Sequence, residues 1–210
     1  MDLTLMRHLS QDLVAFLIGK LYEDAGFMYK ALEIINNITR EKPGTTVDIF
    51  IKYEIDSARP ADSQGPLMNW LMQRTKNNLP APKVYDAILE LLTNLTASDD
   101  GNILFLSQHR LDDILHSLFS MTNPLDYRSE ARLCSILSNL ANSYPYGFGA
   151  WFLLSPWESV LDRMRGNILA KDCKVRKEAL ILFGLLVGKA ADAESKQAVL
   201  DRYGLMQQVL

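Results

Sequence analysis

The stretch Ala87-Ile88-Leu89-Glu90-Leu91-Leu92-Thr93-Asn94-Leu95-Thr96 decides how the rest of this 210-residue chain is read. Its pattern recurs in three other places. These are Lys30-Ala31-Leu32-Glu33-Ile34-Ile35-Asn36-Asn37-Ile38-Thr39, Arg132-Leu133-Cys134-Ser135-Ile136-Leu137-Ser138-Asn139-Leu140-Ala141 and Ile181-Leu182-Phe183-Gly184-Leu185-Leu186-Val187-Gly188-Lys189-Ala190. Three of the four place an Asn at one position, after a paired-apolar step, and the fourth has Gly188 there. With that position as a ruler, the steps are 57 residues from Asn37 to Asn94, 45 from Asn94 to Asn139 and 49 from Asn139 to Gly188. Self-similarity at such a period is the mark of stacked helical repeats.

Each unit also has a matching front half. Asn102–Leu106 is followed by a break at Ser107–Arg110 and then by Leu111–Phe119. Trp151–Leu154 precedes a break at Ser155-Pro156 and then Trp157–Arg165. Gln197–Leu200 precedes a break near Tyr203-Gly204 and then Leu205–Leu210. Each reads as a short helix, a tight turn and a second helix before the long third one. Ser155, Pro156 and Glu158 spell a helix start, because the Ser oxygen and the Glu carboxylate satisfy orphan amides and Pro needs no partner at the first position. The long first step has its own cause. Ser57-Ala58-Arg59-Pro60-Ala61-Asp62-Ser63-Gln64-Gly65-Pro66 is a loop by composition, between Thr46–Tyr53 and a helix at Leu67–Arg74. Asn78–Pro82 is a second break and Asp99-Asp100-Gly101 a turn, and none of them is long enough for a domain linker.

On these residues the chain resembles the armadillo-like helical repeats, with HEAT repeats sharing much of the pattern. Asp172-Cys173-Lys174-Val175-Arg176-Lys177-Glu178-Ala179-Leu180 looks like an armadillo repeat entering its third helix. Ser195–Leu205 is similar to the usual start of a repeat, and the resemblance covers most of residues 24–210. It implies an all-α, right-handed α-solenoid of about four armadillo-like repeats in one domain, 1–210. The approximate units are 1–42, 43–99, 100–144, 145–191 and a partial 192–210. Each unit has an apolar face that only a neighbour can bury. Met206–Leu210 falls inside a repeat, so a longer solenoid, a partner or a second copy is expected over that end.

The resemblance also implies a site. In the family the matching Asn of the third helix lines the concave groove and bonds the backbone of an extended peptide. Asn37, Asn94 and Asn139 stand at that place. An Asn amide is both donor and acceptor, which suits a peptide unit, although it can equally bond within the solenoid. Members that read basic localisation signals carry a Trp one turn earlier. Here those positions are Glu33, Glu90, Ser135 and Gly184, so the aromatic shelves for Lys side chains are missing. Glu33 and Glu90 can attract a basic partner segment, or remain solvated.

Two other clusters compete with the groove. Tyr144-Pro145-Tyr146-Gly147-Phe148-Gly149-Ala150-Trp151-Phe152 crowds five aromatics into nine residues, and Tyr144, Tyr146, Phe148 and Trp151 form a candidate patch for gripping a folded partner. Arg163, Arg165, Lys171, Lys174, Arg176 and Lys177 form a candidate site for phosphate or an acidic partner, and the rival reading of a nucleic-acid-associated repeat rests on them. Asp162, Asp172 and Glu178 are interleaved, which favours a solvated face.

Composition narrows the classes. A net charge of −3 and a pI near 5.6 give no whole-surface drive towards nucleic acid or anionic membrane. Cys134 and Cys173 both read as buried core thiols, suited to a reducing compartment. Leu13–Gly19 is too short, and too acidic in its surroundings, for a secretory signal. It reads as a helix with Leu9, Leu13, Phe16, Leu17 and Leu21 on one face. No stretch has the roughly 18 uninterrupted apolar residues of a membrane span. A cytoplasmic or nuclear protein is expected. His109 and His116 lack a third ligand at zinc spacing. No phosphate loop, nucleophile elbow or metalloprotease helix appears. The sequons Asn37-Ile38-Thr39 and Asn94-Leu95-Thr96 lie in packed helices and are coincidental. The expectation is a binding scaffold or adaptor without cofactor, metal or catalysis. Its partner is another protein, met as a peptide segment or a folded domain.

Overall fold

A helix whose apolar residues outrun one face has to be covered on more than one side. The segment at Ala87–Thr96 meets that condition: Val84, Tyr85, Ala87, Ile88, Leu89, Leu91, Leu92, Leu95 and Thr96 are all buried. A computed structural model describes residues 3–41, 43–57, 65–76, 81–97, 111–119, 127–143, 158–189 and 193–203. Among the described residues the regular structure is helical throughout. The helices fall into two compact units, Met1–Leu118 and Phe119–Leu210.

The first unit holds α1 (Leu3–Leu21), α2 (Ala25–Glu41), α3 (Pro43–Ser57), α4 (Pro66–Lys76), α5 (Pro82–Thr96) and α6 (Leu111–Phe119). The second holds α7 (Tyr127–Ser143), α8 (Glu158–Ile168), α9 (Cys173–Lys189) and α10 (Ala193–Tyr203). The four recurring segments lie in the helices α2, α5, α7 and α9. In the first unit α2 packs on α1, α3 and α5; in the second, α9 packs on α7, α8 and α10.

Local chemistry sets the helix ends. The Asp24 carboxylate accepts from the amides of Gly26 (2.9 Å) and Phe27 (3.2 Å) and so starts α2. Asp172 does the same for α9 through Lys174 (2.9 Å) and Val175 (3.0 Å). Pro82 opens α5, where its missing N–H leaves nothing unsatisfied. Helices α3 and α4 extend beyond the predicted Thr46–Tyr53 and Leu67–Arg74, to Pro43–Ser57 and Pro66–Lys76. Ser155 and Pro156 lie outside the described residues.

Two expectations need correction. In α1 the core takes Val14, Leu17, Ile18 and Leu21, whereas Leu13 (48%) and Phe16 (59%) are exposed. The helix is apolar on more than one side, and packing against α2 and α3 selects the stripe at i, i+3, i+4 and i+7. Cys173 is exposed, while Cys134 is buried as expected. Cys173 is the first residue of α9, before the helix has turned its core-facing side inwards, and Val175 and Ala179 are buried in its stead.

The corner where α1, α3 and α4 meet is held by polar groups, of which Trp70 and Glu54 are buried and Tyr22 is exposed. The Trp70 ring N–H donates to the Leu21 carbonyl (2.7 Å), and the Tyr22 hydroxyl donates to the Pro66 carbonyl (2.6 Å). The Glu54 carboxylate of α3 accepts from the Leu67 (2.7 Å) and Met68 (3.1 Å) amides, capping α4 from another helix. Gly65 makes this approach possible. A Cβ there would stand 2.7 Å from the Glu54 Cα and press on its carboxylate. Gly65→Ala is therefore expected to lower stability by about 2 kcal/mol or more, read from urea unfolding.

Burial pushes the Glu54 carboxyl up from 4.5 to about 7, against the two amides, which pull it down. Below pH 4.5 the folded and unfolded chains both carry its proton. Between 4.5 and 7 only the folded chain keeps it, so stability falls as pH rises, and above 7 the whole penalty, on the order of 3 kcal/mol, persists. Thermal unfolding of wild type beside Glu54→Gln from pH 5 to 8 should show that part of the slope disappearing in the variant. An unchanged slope would mean that Glu54 is not its source.

Candidate functional site

Helices α2 and α5 lie side by side, and of the predicted site residues they carry Glu33, Asn37, Glu90 and Asn94. Asn37 is exposed on α2, and its side-chain oxygen accepts from Arg40 one turn on. Asn94, at the same place on α5, is half-buried. Its amide N–H₂ donates to the Thr39 hydroxyl (2.9 Å) and to the Asn36 carbonyl (3.3 Å) of the neighbouring helix. The same residue in two successive repeats therefore does two things: Asn94 ties its helix to the one before, while Asn37 faces outwards. Half-buried Asn139 on α7 is also engaged within the chain.

The acidic positions are neutralised locally. Glu33 pairs with Lys30 (2.8 Å), and the Lys30 ammonium, acting first through its hydrogen bond, holds the Glu33 carboxyl below its ordinary value. Glu90 pairs with Arg40 across the seam (3.4 Å). Exposed pairs of this kind contribute about 0.2–1 kcal/mol to stability, but they cancel the acidic field that two unpaired carboxylates would present to a basic segment.

Two contributors escape a reading from sequence. Asn36 is buried and donates from its amide to the Ala87 carbonyl (2.9 Å), crossing the seam opposite to Asn94. The signal was present: the place before the ruler Asn is Asn36, Thr93 and Ser138, polar in three successive repeats. Arg40 is the other. Its role depends on a residue 50 positions away and has no local signature. Thr39 and Thr96, the hydroxyl residues of the two sequons, are buried and donate to the Ile35 (2.9 Å) and Leu92 (2.8 Å) carbonyls of their own helices.

In the second unit the basic cluster divides. Arg163 of α8 is engaged by Glu130 of α7, with its Nε donating to both carboxylate oxygens (3.0 and 3.2 Å), and Asn167 donates to the same carboxylate (2.9 Å). Arg176 donates to the carbonyls of Ala170 (2.6 Å) and Lys171 (2.7 Å) and closes the turn before α9. Both guanidiniums serve the fold. Arg165, Lys171, Lys174 and Lys177 are exposed. Of the interleaved acids, Asp172 caps α9 and Glu178 accepts from the Ser135 hydroxyl (3.1 Å). Cys134 lies within this network, and burial pushes its thiol up to about 12, which makes it inert. The aromatic patch of Tyr144, Tyr146, Phe148 and Trp151 lies outside the described residues. Among the described residues no group of three or more His, Cys, Asp or Glu is placed to hold a metal, and no helix is long and apolar enough to cross a membrane.

No protein family and no curated protein matches the sequence. Solved structures do match. A designed armadillo repeat protein in complex with the peptide (KR)4 is similar at a TM-score of 0.66 and 14% identity, over 94% of this chain and 71% of that one. Computationally designed armadillo repeat proteins for modular peptide recognition are similar at a TM-score of 0.58 and 14% identity, over 96% and 94% of the two chains. An engineered protein is similar at 0.66 and 16% identity, over 94% and 72%.

The seam predicts a split between two residues of one kind. Asn94→Ala is expected to destabilise the chain by about 1–3 kcal/mol, because it strips donors from a part-buried junction. Asn37→Ala should change stability by less than about 0.5 kcal/mol. Equal midpoints in urea for the two variants would refute the assignment. At 14–16% identity the likeness to solved structures is one of fold, and the fold of this chain is the all-α, armadillo-like helical repeat.

Proposed function

We propose that this chain is a non-enzymatic scaffold or adaptor that holds a segment of a partner protein along the exposed face of its third helices. The observation that carries the reading is the register of α2 and α5. Their seam brings Asn37 and Asn94 into successive places on adjacent helices, with Asn37 exposed and Asn94 turned partly inwards. Designed proteins of the same fold, one of them in complex with a peptide, support a peptide or protein as the ligand class.

The charges qualify the ligand. With Glu33 on Lys30 and Glu90 on Arg40, this stretch is polar but close to neutral. It therefore favours a segment read through its backbone amides over one read through a run of basic side chains. Desolvation without a compensating charge would oppose a strongly charged chain here.

A tagged pull-down from cell extract tests the proposal, with Asn37→Ala and the triple variant Asn37→Ala, Asn94→Ala, Asn139→Ala beside wild type. Asn37→Ala is the cleaner reporter because it removes no contact between helices. A protein recovered by wild type, weakened in the single variant and lost in the triple, with unchanged circular dichroism, is the expected outcome. Partners kept equally by all three would remove the third-helix face from consideration.

A further inference from the structure

Helices α2 and α5 are one pattern in two settings. Met28, Ala31, Leu32 and Ile35 are buried in α2, and so are their counterparts Tyr85, Ile88, Leu89 and Leu92 in α5. The settings diverge along one stripe. Val84, Ala87 and Leu91 are buried, whereas α2 has Phe27, Lys30 and Ile34 in their places, all exposed. Phe27 is 55% exposed against 7% for Val84, and Ile34 44% against 0% for Leu91. Residues spaced by three and seven share one helix face. On α5 that is the face α2 covers, since the Ala87 carbonyl receives Asn36 and Glu90 receives Arg40. Helix α2 thus presents Phe27 and Ile34, with Lys30 between them, where α5 has a covered apolar stripe, and no described residue covers them.

The patch continues onto α1. The Lys20 ammonium stands 5.2 Å from the centre of the Phe16 ring and 5.4 Å from that of Phe27, so these exposed aromatics form one surface, with Leu13 a turn before Phe16. A contiguous apolar surface with a cation among its rings is a recognised kind of docking site.

We propose that this face docks one amphipathic helix of a partner protein, laid against α2 as α2 is laid against α5. The seam already present in the chain states the chemistry required. The incoming helix presents apolar residues to Phe27 and Ile34. Near its C-terminal end it carries a basic side chain that meets Glu33, as Arg40 in the last turn of α2 meets Glu90. Glu33 pairs with Lys30 at the surface, and an exposed pair of this kind exchanges at little cost. Asn37 occupies on α2 the place of Asn94 on α5 and so shares this face; Asn37→Ala removes a backbone contact of an extended segment, whereas Ile34→Glu removes the apolar contact of a helix, so the two readings fail separately.

The probe is a fluorescein-labelled peptide with the sequence of α2, residues 25–41, because α2 is the helix seen to cover this stripe on α5. Its binding to the full chain is followed by anisotropy. Saturable binding is expected, weakened roughly tenfold or more by Ile34→Glu or Phe27→Glu, each of which places a charge in the apolar contact. Leu180→Glu, at an exposed position of α9, should leave it unchanged. A peptide with Arg40→Glu should bind wild type more weakly and recover on chain carrying Glu33→Arg, which a nonspecific apolar contact would not do. Circular dichroism checks that each variant folds. No saturation by millimolar peptide, or equal binding to Ile34→Glu, overturns the proposal. So does sedimentation showing that the chain alone dimerises and that Ile34→Glu makes it monomeric, because the face would then belong to a second copy.

Discussion

The structure of the first unit depends on the seam between α2 and α5. A helix as apolar as α5 cannot be satisfied by one neighbour, so a second helix must lie along it, and that contact has to be registered as well as greasy. Apolar packing provides the drive, since each fully buried Leu or Val contributes about 1.5–3 kcal/mol. It does not choose between positions a turn apart. The crossed amides do: Asn36 donates into α5 at Ala87, and Asn94 donates back into α2 at Thr39 and the Asn36 carbonyl. Sliding one helix by a turn would leave these groups buried and unpaired, at about 1–3 kcal/mol each.

In the second unit the same task falls to charge. Glu130 on α7 collects Arg163 and Asn167 from α8, and Ser135 on α7 donates to Glu178 on α9. A part-buried ion pair adds little net stability, because desolvation offsets most of its attraction, but leaving one partner alone is costly. The network therefore acts chiefly to specify which helices meet and where. It also explains why a cluster of basic residues in sequence is not a cluster of available charges in space.

The position chosen from sequence as a ruler illustrates how a repeat distributes work. Asn37, Asn94 and Asn139 occupy one place in the pattern, but a place in a repeat fixes only the helix face, while the residue's role depends on what the adjoining helix offers. Thr39 and the Asn36 carbonyl are within reach of Asn94, so its amide turns towards them. Asn37 meets Arg40 of its own helix and stays exposed. The same logic separates Val84 and Leu91 from Phe27 and Ile34, identical in pattern and opposite in exposure.

What the amino-acid sequence determined by itself was periodic and local. The helices α2, α5, α7 and α9, and the proline and aspartate that start α5 and α9, all follow from residue type and spacing, which act within a turn or two of the chain. The tertiary structure decided everything that requires two distant segments to meet. It chose Val14 and Ile18 over Leu13 and Phe16 in a helix apolar on more than one side, and it exposed Cys173. It set Glu54 as the cap of a helix it does not belong to, paired Arg40 with Glu90, and turned Asn94 inwards. The physical reason is the same in each case. Helical periodicity reports which face of a helix is apolar, and burial depends on which other helix arrives there.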